Sequence, residues 1–187
     1  MFQIRIHGRG GQGAVTAAEM LSIAAFREGK HAQAFPSFGS ERTGAPVVAY
    51  CRIDDREIRV REPISAPDAL IIQDPTLLHQ VDVFSGLAPQ AYVLINTGKS
   101  IEALGVGDLM KTTSRVATVP ATELALKHVG RPLPNAVLLG AFASFTGKLS
   151  MRAVVDAILW KFPGDVGRAN VAAASEAFER LTHAEAD

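Results

Sequence analysis

Gly8-Arg9-Gly10-Gly11-Gln12-Gly13 is the stretch of this sequence best suited to chemistry, because Gly8, Gly10 and Gly13 fall at G-x-G-x-x-G spacing. Glycine accepts positive φ in a turn, and its missing side chain lets backbone approach a ligand or a neighbouring strand. A helix starting there offers free N–H groups and the positive end of its dipole to an anion. The same glycines could equally just close a tight strand-to-helix corner, and spacing alone leaves both readings open. A dinucleotide site of the NAD type needs an acidic residue at the end of a second strand, about 20 residues further on. Here the second strand, near Lys30 to Phe35, runs through His31-Ala32-Gln33-Ala34 and carries no acid. A half-used nucleotide motif is the better expectation.

A second stretch with chemical potential is Pro36-Ser37-Phe38-Gly39-Ser40-Glu41-Arg42-Thr43-Gly44-Ala45-Pro46. Its turn formers make it a loop. Ser37, Gly39, Glu41, Arg42 and Gly44 give it either the character of a solvated turn or that of a recognition loop for a partner or an anion. No catalytic set accompanies these loops. His7, His31, His79, His128 and His183 are scattered without triad context or metal-ligand spacing. No lysine follows the glycines as in a P-loop, and neither Gly107-Asp108 nor Gly164-Asp165 continues into a diphosphate–magnesium motif. The single cysteine, Cys51, excludes a disulfide within the chain and a cluster held by four thiolates. In the run Val47-Val48-Ala49-Tyr50-Cys51 it reads as a small buried hydrophobe.

The elements that must hold these loops follow from periodicity. Phe2, Ile4 and Ile6 alternate with Gln3 and Arg5, so a strand leads into the glycines, and apolar residues from Val15 to Ala25 then recur at helical spacing. The helix runs from about Gly13 to Arg27 and stops at Glu28-Gly29-Lys30. Val47 to Ile53 and Glu57 to Val60 read as two strands of a hairpin turning at Asp54-Asp55. Buried parallel strands are expected at Asp68 to Asp74, Ala91 to Asn96 and Val116 to Val119. Thr76 to Val83 make a brief helix or turn, and a helix runs from Pro120 to His128. The last third is helical: Val137 to Phe145, Met151 to Phe162 with Ser150 as its cap, and Asp165 to Leu181. The chain therefore reads as a single α/β domain over 1–187, a Rossmann-like, doubly wound, mostly parallel sheet with an inserted β-hairpin and a helical C-terminal third. Gly8 and Asn96 both fall at the C-terminal ends of strands, where such sheets place ligands.

Composition bounds the partners. Nineteen basic residues balance nineteen acidic ones, so there is no electrostatic footprint for nucleic acid. The chain is 48% hydrophobic and only 20% charged, which favours a permanent protein partner. No apolar run approaches the roughly 18 residues of a membrane span and no signal peptide is visible, so a cytoplasmic protein is expected.

Taken together, Gly8 to Gly13 and the Gly39-Ser40-Glu41-Arg42-Thr43-Gly44 loop resemble the gamma subunit, or gamma domain, of 2-oxoacid:acceptor oxidoreductases, the pyruvate/ketoisovalerate:ferredoxin type. Pro134-Asn135-Ala136-Val137-Leu138-Leu139-Gly140 resembles that family's Asn-x-x-x-x-Gly helix start. Arg168-Ala169-Asn170-Val171 with Ala177-Phe178 resembles its late Lys-x-x-Asn…Ala-Phe element, with arginine in place of lysine. The glycine motif alone is weak, whereas glycine motif and loop at this distance are specific.

The resemblance implies a subunit without catalytic residues of its own. Thiamine diphosphate, magnesium and [4Fe-4S] clusters would lie in alpha, beta and ferredoxin-like delta partners. Coenzyme A would be the co-substrate, and ferredoxin, or NAD through a further subunit, the acceptor. The reaction would be oxidative decarboxylation of a 2-oxoacid, pyruvate by default, to an acyl-CoA. This chain would pack on the catalytic subunits and help shape the CoA channel, with Gly8, Gly10, Gly11, Gln12, Gly13, Ser37, Gly39, Glu41, Arg42, Gly44 and Asn135 as interface or channel residues. The alternatives are a subunit of a phenylglyoxylate, indolepyruvate or oxalate oxidoreductase and, from another class, a free-standing nucleotide- or CoA-binding module.

Overall fold

The computed structural model describes residues 1–37, 43–107, 113 and 115–184. Six strands form one sheet in the order β2-β3-β1-β4-β5-β6. They are β1 (Phe2–Arg9), β2 (His31–Pro36), β3 (Pro46–Asp54), β4 (Ala69–Ile72), β5 (Tyr92–Asn96) and β6 (Val116–Val119). Five α-helices accompany them among the described residues: α1 (Ala14–Arg27), α2 (Ala121–Val129), α3 (Asn135–Thr146), α4 (Met151–Lys161) and α5 (Gly164–Ala184). β1, β4, β5 and β6 are mutually parallel, and β3 runs antiparallel to β1 on one side and to β2 on the other. The sheet is thus mostly parallel with a hairpin in it, as the sequence pattern implies.

That hairpin is built from other strands than expected. β3 covers the expected Val47 to Ile53, but its partner is β2, paired from His31↔Asp54 to Pro36↔Ala49, and residues 57–60 form no strand. The physical reason is edge occupancy. A strand has two hydrogen-bonding edges, and those of β3 are taken by β1 and β2. The chain after Asp54 instead crosses the sheet face, where the Arg5 and Arg52 guanidinium groups donate to the Ile64 and Glu62 carbonyls.

The period of two sorts the strands' side chains. Ile4, Ile6, Ala49, Cys51, Ala69, Ile71 and Leu94 face the helices and form the main core with them. Leu70, Ile72, Val93 and Ile95 face the opposite way, under the 3-10 turns at Pro75–His79 and Glu102–Leu104. Burial pushes the Cys51 thiol up to about 12, as befits an inert core residue.

α3 is buried from Asn135 through Ala143 because helices surround it. Gly140 lets α5 approach: a Cβ there would lie 2.0 Å from the Ala174 carbonyl oxygen. Ser150 caps α4 as expected, its hydroxyl accepting from Ala153 N–H at 3.2 Å. Among the described residues no helix is long and apolar enough to cross a membrane.

Candidate functional site

β1 carries the glycine run to the C-terminal end of the parallel strands, and the glycines there do different jobs. Gly8 is still inside the strand, opposite Val47. Its missing side chain leaves room for Gln73, whose Oε1 would lie 2.7 Å from a Cβ there and would have to shift. Gly10 pairs with the far stem of the second loop: its N–H donates to Ala45 O at 2.9 Å and its carbonyl accepts from Gly44 N–H at 3.0 Å. Gly11 and Gly13 make the turn itself, with φ of 95° and 78°. Gly13 also caps α1, which has neither a side-chain cap nor an acid in its first turn.

A polar clamp fixes this corner. The Arg9 guanidinium donates to Asp74 Oδ2 at 3.1 Å, Gly44 O at 3.0 Å, Thr76 Oγ1 at 2.6 Å and Gln80 Oε1 at 2.7 Å. Gln12 accepts from Arg9 N–H at 2.8 Å and donates to Asp74 Oδ2 at 2.8 Å. Asp74 also caps the 3-10 turn by accepting from Thr76 N–H at 3.0 Å. Burial raises the Asp74 pKa, but hydrogen bonds from Thr76 and Gln12 and the Arg9 charge outweigh it and leave the carboxyl below its ordinary range. The Arg9–Asp74 pair therefore ties the glycine turn, the loop stem and the end of β4 together.

The predicted residues are brought together across long sequence separations. Asn135 starts α3, is 5% exposed, and packs so closely on the glycine corner that a Cβ on Gly13 would lie 2.5 Å from its Nδ2. Ser37 continues the β2–β3 ladder, donating N–H to Val48 O at 2.8 Å. Gly44, with φ of 80°, lies beside Gly10. Gly39, Glu41 and Arg42 lie outside the described residues. Asn96 does end β5: it donates to Gln73 O at 2.7 Å and Thr122 Oγ1 at 2.8 Å, which joins β5 to the start of α2.

Two cavities flank the corner. One of about 240 Å³ is lined by Arg9, Gly10, Gly11, Gly13, Ala14 and Val47. The other, about 340 Å³ at the ends of β4 and β5, includes Gln12, Asp74, Asn96, Thr97 and Thr122. Among the described residues neither is lined by an uncommitted cation, because Arg9 is spent on Asp74. Burial, then the Arg5 charge, push the pKa of nearby His7 down to about 4, so at neutral pH it is an uncharged imidazole. Such a corner suits backbone hydrogen bonding and close packing better than capture of a bare polyanion.

Comparison with known proteins decides the family. The pattern of the pyruvate ferredoxin/flavodoxin oxidoreductase family matches residues 3–180. The chain belongs to that family. Over 180 residues it is 49% identical to the pyruvate/ketoisovalerate oxidoreductases common subunit gamma of Thermococcus kodakarensis, covering 96% of this chain and 97% of the relative. It is 47% identical over 183 residues to the pyruvate synthase subunit PorC of Methanothermobacter marburgensis, covering 98% and 99%. The crystal structure of pyruvate oxidoreductase subunit PORC from Thermotoga maritima superposes with a TM-score of 0.80 at 37% identity, covering 95% of each chain. The chain is thus similar over its whole length to subunits of this oxidoreductase family, and the six-stranded α/β fold is theirs.

Arg9 and Asp74 are the members of this corner that sequence reasoning passed over. A local signal existed for Asp74: an acid followed by Pro75 and Thr76 directly after an apolar run is the pattern of a capped turn. Nothing local announced the link to Arg9, which spans 65 positions.

Proposed function

We propose that this chain is the gamma subunit of a 2-oxoacid:ferredoxin-type oxidoreductase that oxidatively decarboxylates a 2-oxoacid, pyruvate by default, to an acyl-CoA. In this reading it packs on alpha, beta and ferredoxin-like delta subunits, and its glycine corner helps shape the path of CoA. Full-length similarity to gamma and PorC subunits supports the role. The carrying observation within the chain is the Arg9–Asp74–Gln12 clamp, which fixes a side-chain-poor turn and the stem of a second loop as one surface.

Thiamine diphosphate with magnesium and [4Fe-4S] clusters do not fit this chain's own residues. It has one cysteine, which is buried, and no cluster of metal-ligating side chains among the described residues. These groups are assigned to the partner subunits, where they would supply decarboxylation and electron transfer. This chain contributes the backbone N–H groups of Gly11, Gly13, Ala14 and Val15, which have no acceptor among the described residues and are suited to orienting a bound molecule, beside a neutral polar wall at Gln12, Asn96 and Thr97.

The test is native co-purification through a C-terminal tag, with thiamine and iron assays and 2-oxoacid-dependent reduction of ferredoxin. Larger chains carrying both cofactors, with CoA-dependent turnover of pyruvate, are the expected result. A lone chain without either cofactor overturns the reading.

A further inference from the structure

A third cavity, of about 410 Å³, lies at the same end of the molecule as the glycine corner but on the helical side. Its walls are Val129, Leu133, Phe162 and Val166, and its polar lining is Arg131, Asn135 and Asn170. Asn170 is 5% exposed and uses one amide N–H on Val166 O at 2.9 Å, which leaves its carbonyl oxygen for an incoming donor and its second N–H for an acceptor. Arg131 is exposed at the mouth and makes no ion pair among the described residues.

Exposed apolar side chains lie in and beside the segments that line the mouth. Val166 is 54% exposed, and Leu159 and Trp160, just before Phe162, are 42% and 61% exposed. Leu159 packs on the start of α5, since a Cβ on Gly167 would lie 3.2 Å from its Cδ2. Exposed aliphatic and aromatic side chains beside a ready-made pocket are the signature of a protein-binding hot spot. Continuity adds to this: Asn135 lines the pocket on one side and packs on Gly13 on the other.

We propose that this pocket is an anchor site for a partner subunit of the same enzyme. The occupant is a segment that inserts one aliphatic or aromatic side chain between Val129, Leu133, Phe162 and Val166. It donates a backbone N–H to Asn170 and presents a carboxylate to Arg131. Positive charge at the rim selects an acidic neighbour, and apolar walls select the anchor, so both parts of the occupant follow from the lining. The inference rests on the chain being a subunit of a larger enzyme, and it adds where on the helical side a partner is held.

The test compares assembly of the whole complex from full-length chains carrying Val166→Glu, Val166→Leu or Arg131→Glu. Val166 is exposed in the first turn of α5, where an acidic residue is compatible with the helix, so Val166→Glu should fold with an unchanged circular dichroism melt. Its carboxylate would compete for Arg131 and polarise the pocket, and binding to the partner subunits should weaken at least tenfold. Val166→Leu should assemble normally. Arg131→Glu should weaken assembly and remove most of its salt dependence. Hydrogen exchange of residues 129–135 and 162–170 should slow on assembly of the wild-type complex. If wild type assembles while Val166→Glu and Arg131→Glu assemble equally well, the anchor site is refuted and the subunit reading stands. If wild type finds no partners, the subunit reading itself fails. Protection of these segments by a small molecule in the absence of other subunits would overturn the protein anchor as well.

Discussion

Replacing Asp74 by alanine should loosen the glycine corner by an amount the structure allows to be worked out. Asp74 accepts from Arg9, Gln12 and Thr76, and its side chain is 13% exposed against 22% for Arg9. Loss of the cap on the 3-10 turn costs about 1 kcal/mol. Hydrogen bonds to a charged group contribute about 1.5–3 kcal/mol each when buried, and the low end applies to partners that water can still reach. The total is about 3–4 kcal/mol, which lowers Tm by roughly 6–15 °C for a chain of this size. Asp74→Asn keeps the shape and loses the charge, so its effect should be about half as large. Differential scanning calorimetry of the single variants and of Arg9→Ala/Asp74→Ala measures both the loss and the coupling, which should be about 1–3 kcal/mol. The carboxyl is depressed in the folded chain, so its contribution is present above the unfolded value of about 4 and disappears as pH falls through the lower folded value. The Asp74→Asn variant should lack that part of the acid limb. A change under about 1 kcal/mol for Asp74→Ala, or strict additivity with Arg9→Ala, would show that the clamp does not hold the corner.

Other positions make separate predictions. Gly13→Ala combines left-handed strain with contact against Asn135 and should destabilise by about 2–4 kcal/mol, whereas Gly11→Ala meets only the strain and should cost about 1–2 kcal/mol; urea midpoints of the pair isolate the contact. Gly140→Ala forces α3 and α5 apart at Ala174 O and should cost about 3 kcal/mol by the same measurement. Glu176 accepts from Lys127, His128 and Arg180, and these bonds lower its pKa to about 2. Its contribution should therefore be present above about 4.5 and fade as pH falls toward about 2, and a Glu176→Gln variant should show a flatter stability profile across that window.

Local pattern made the first strand, the glycine turn and α1 legible, because alternation, positive-φ glycines and helical spacing follow each other without interruption. The parallel strands at Leu70–Ile72 and Val93–Ile95 were legible for a similar reason: burial on both faces leaves a continuous apolar run. Pairing was less legible. Glu57 to Val60 has the composition of a strand, but strand formation depends on a free edge, and the β2–β3–β1 order leaves none on β3. The corner's parts were visible one by one, as Gly13 and as Asn135. Their contact was not, since it depends on how α3 threads between α1 and α5. Arg9 sat inside the glycine motif at a position that the spacing leaves unspecified, and only the fold reveals that it bridges both loops and the end of β4.

The most direct measurement is amide hydrogen exchange at Gly11, Gly13, Ala14 and Val15 in the purified multi-subunit enzyme, compared with this chain alone. These four amides have no acceptor among the described residues, so burial against partner subunits should slow them by tenfold or more, and further with CoA present. Exchange at the same rate in both states would contradict the placement of the glycine corner at the subunit interface.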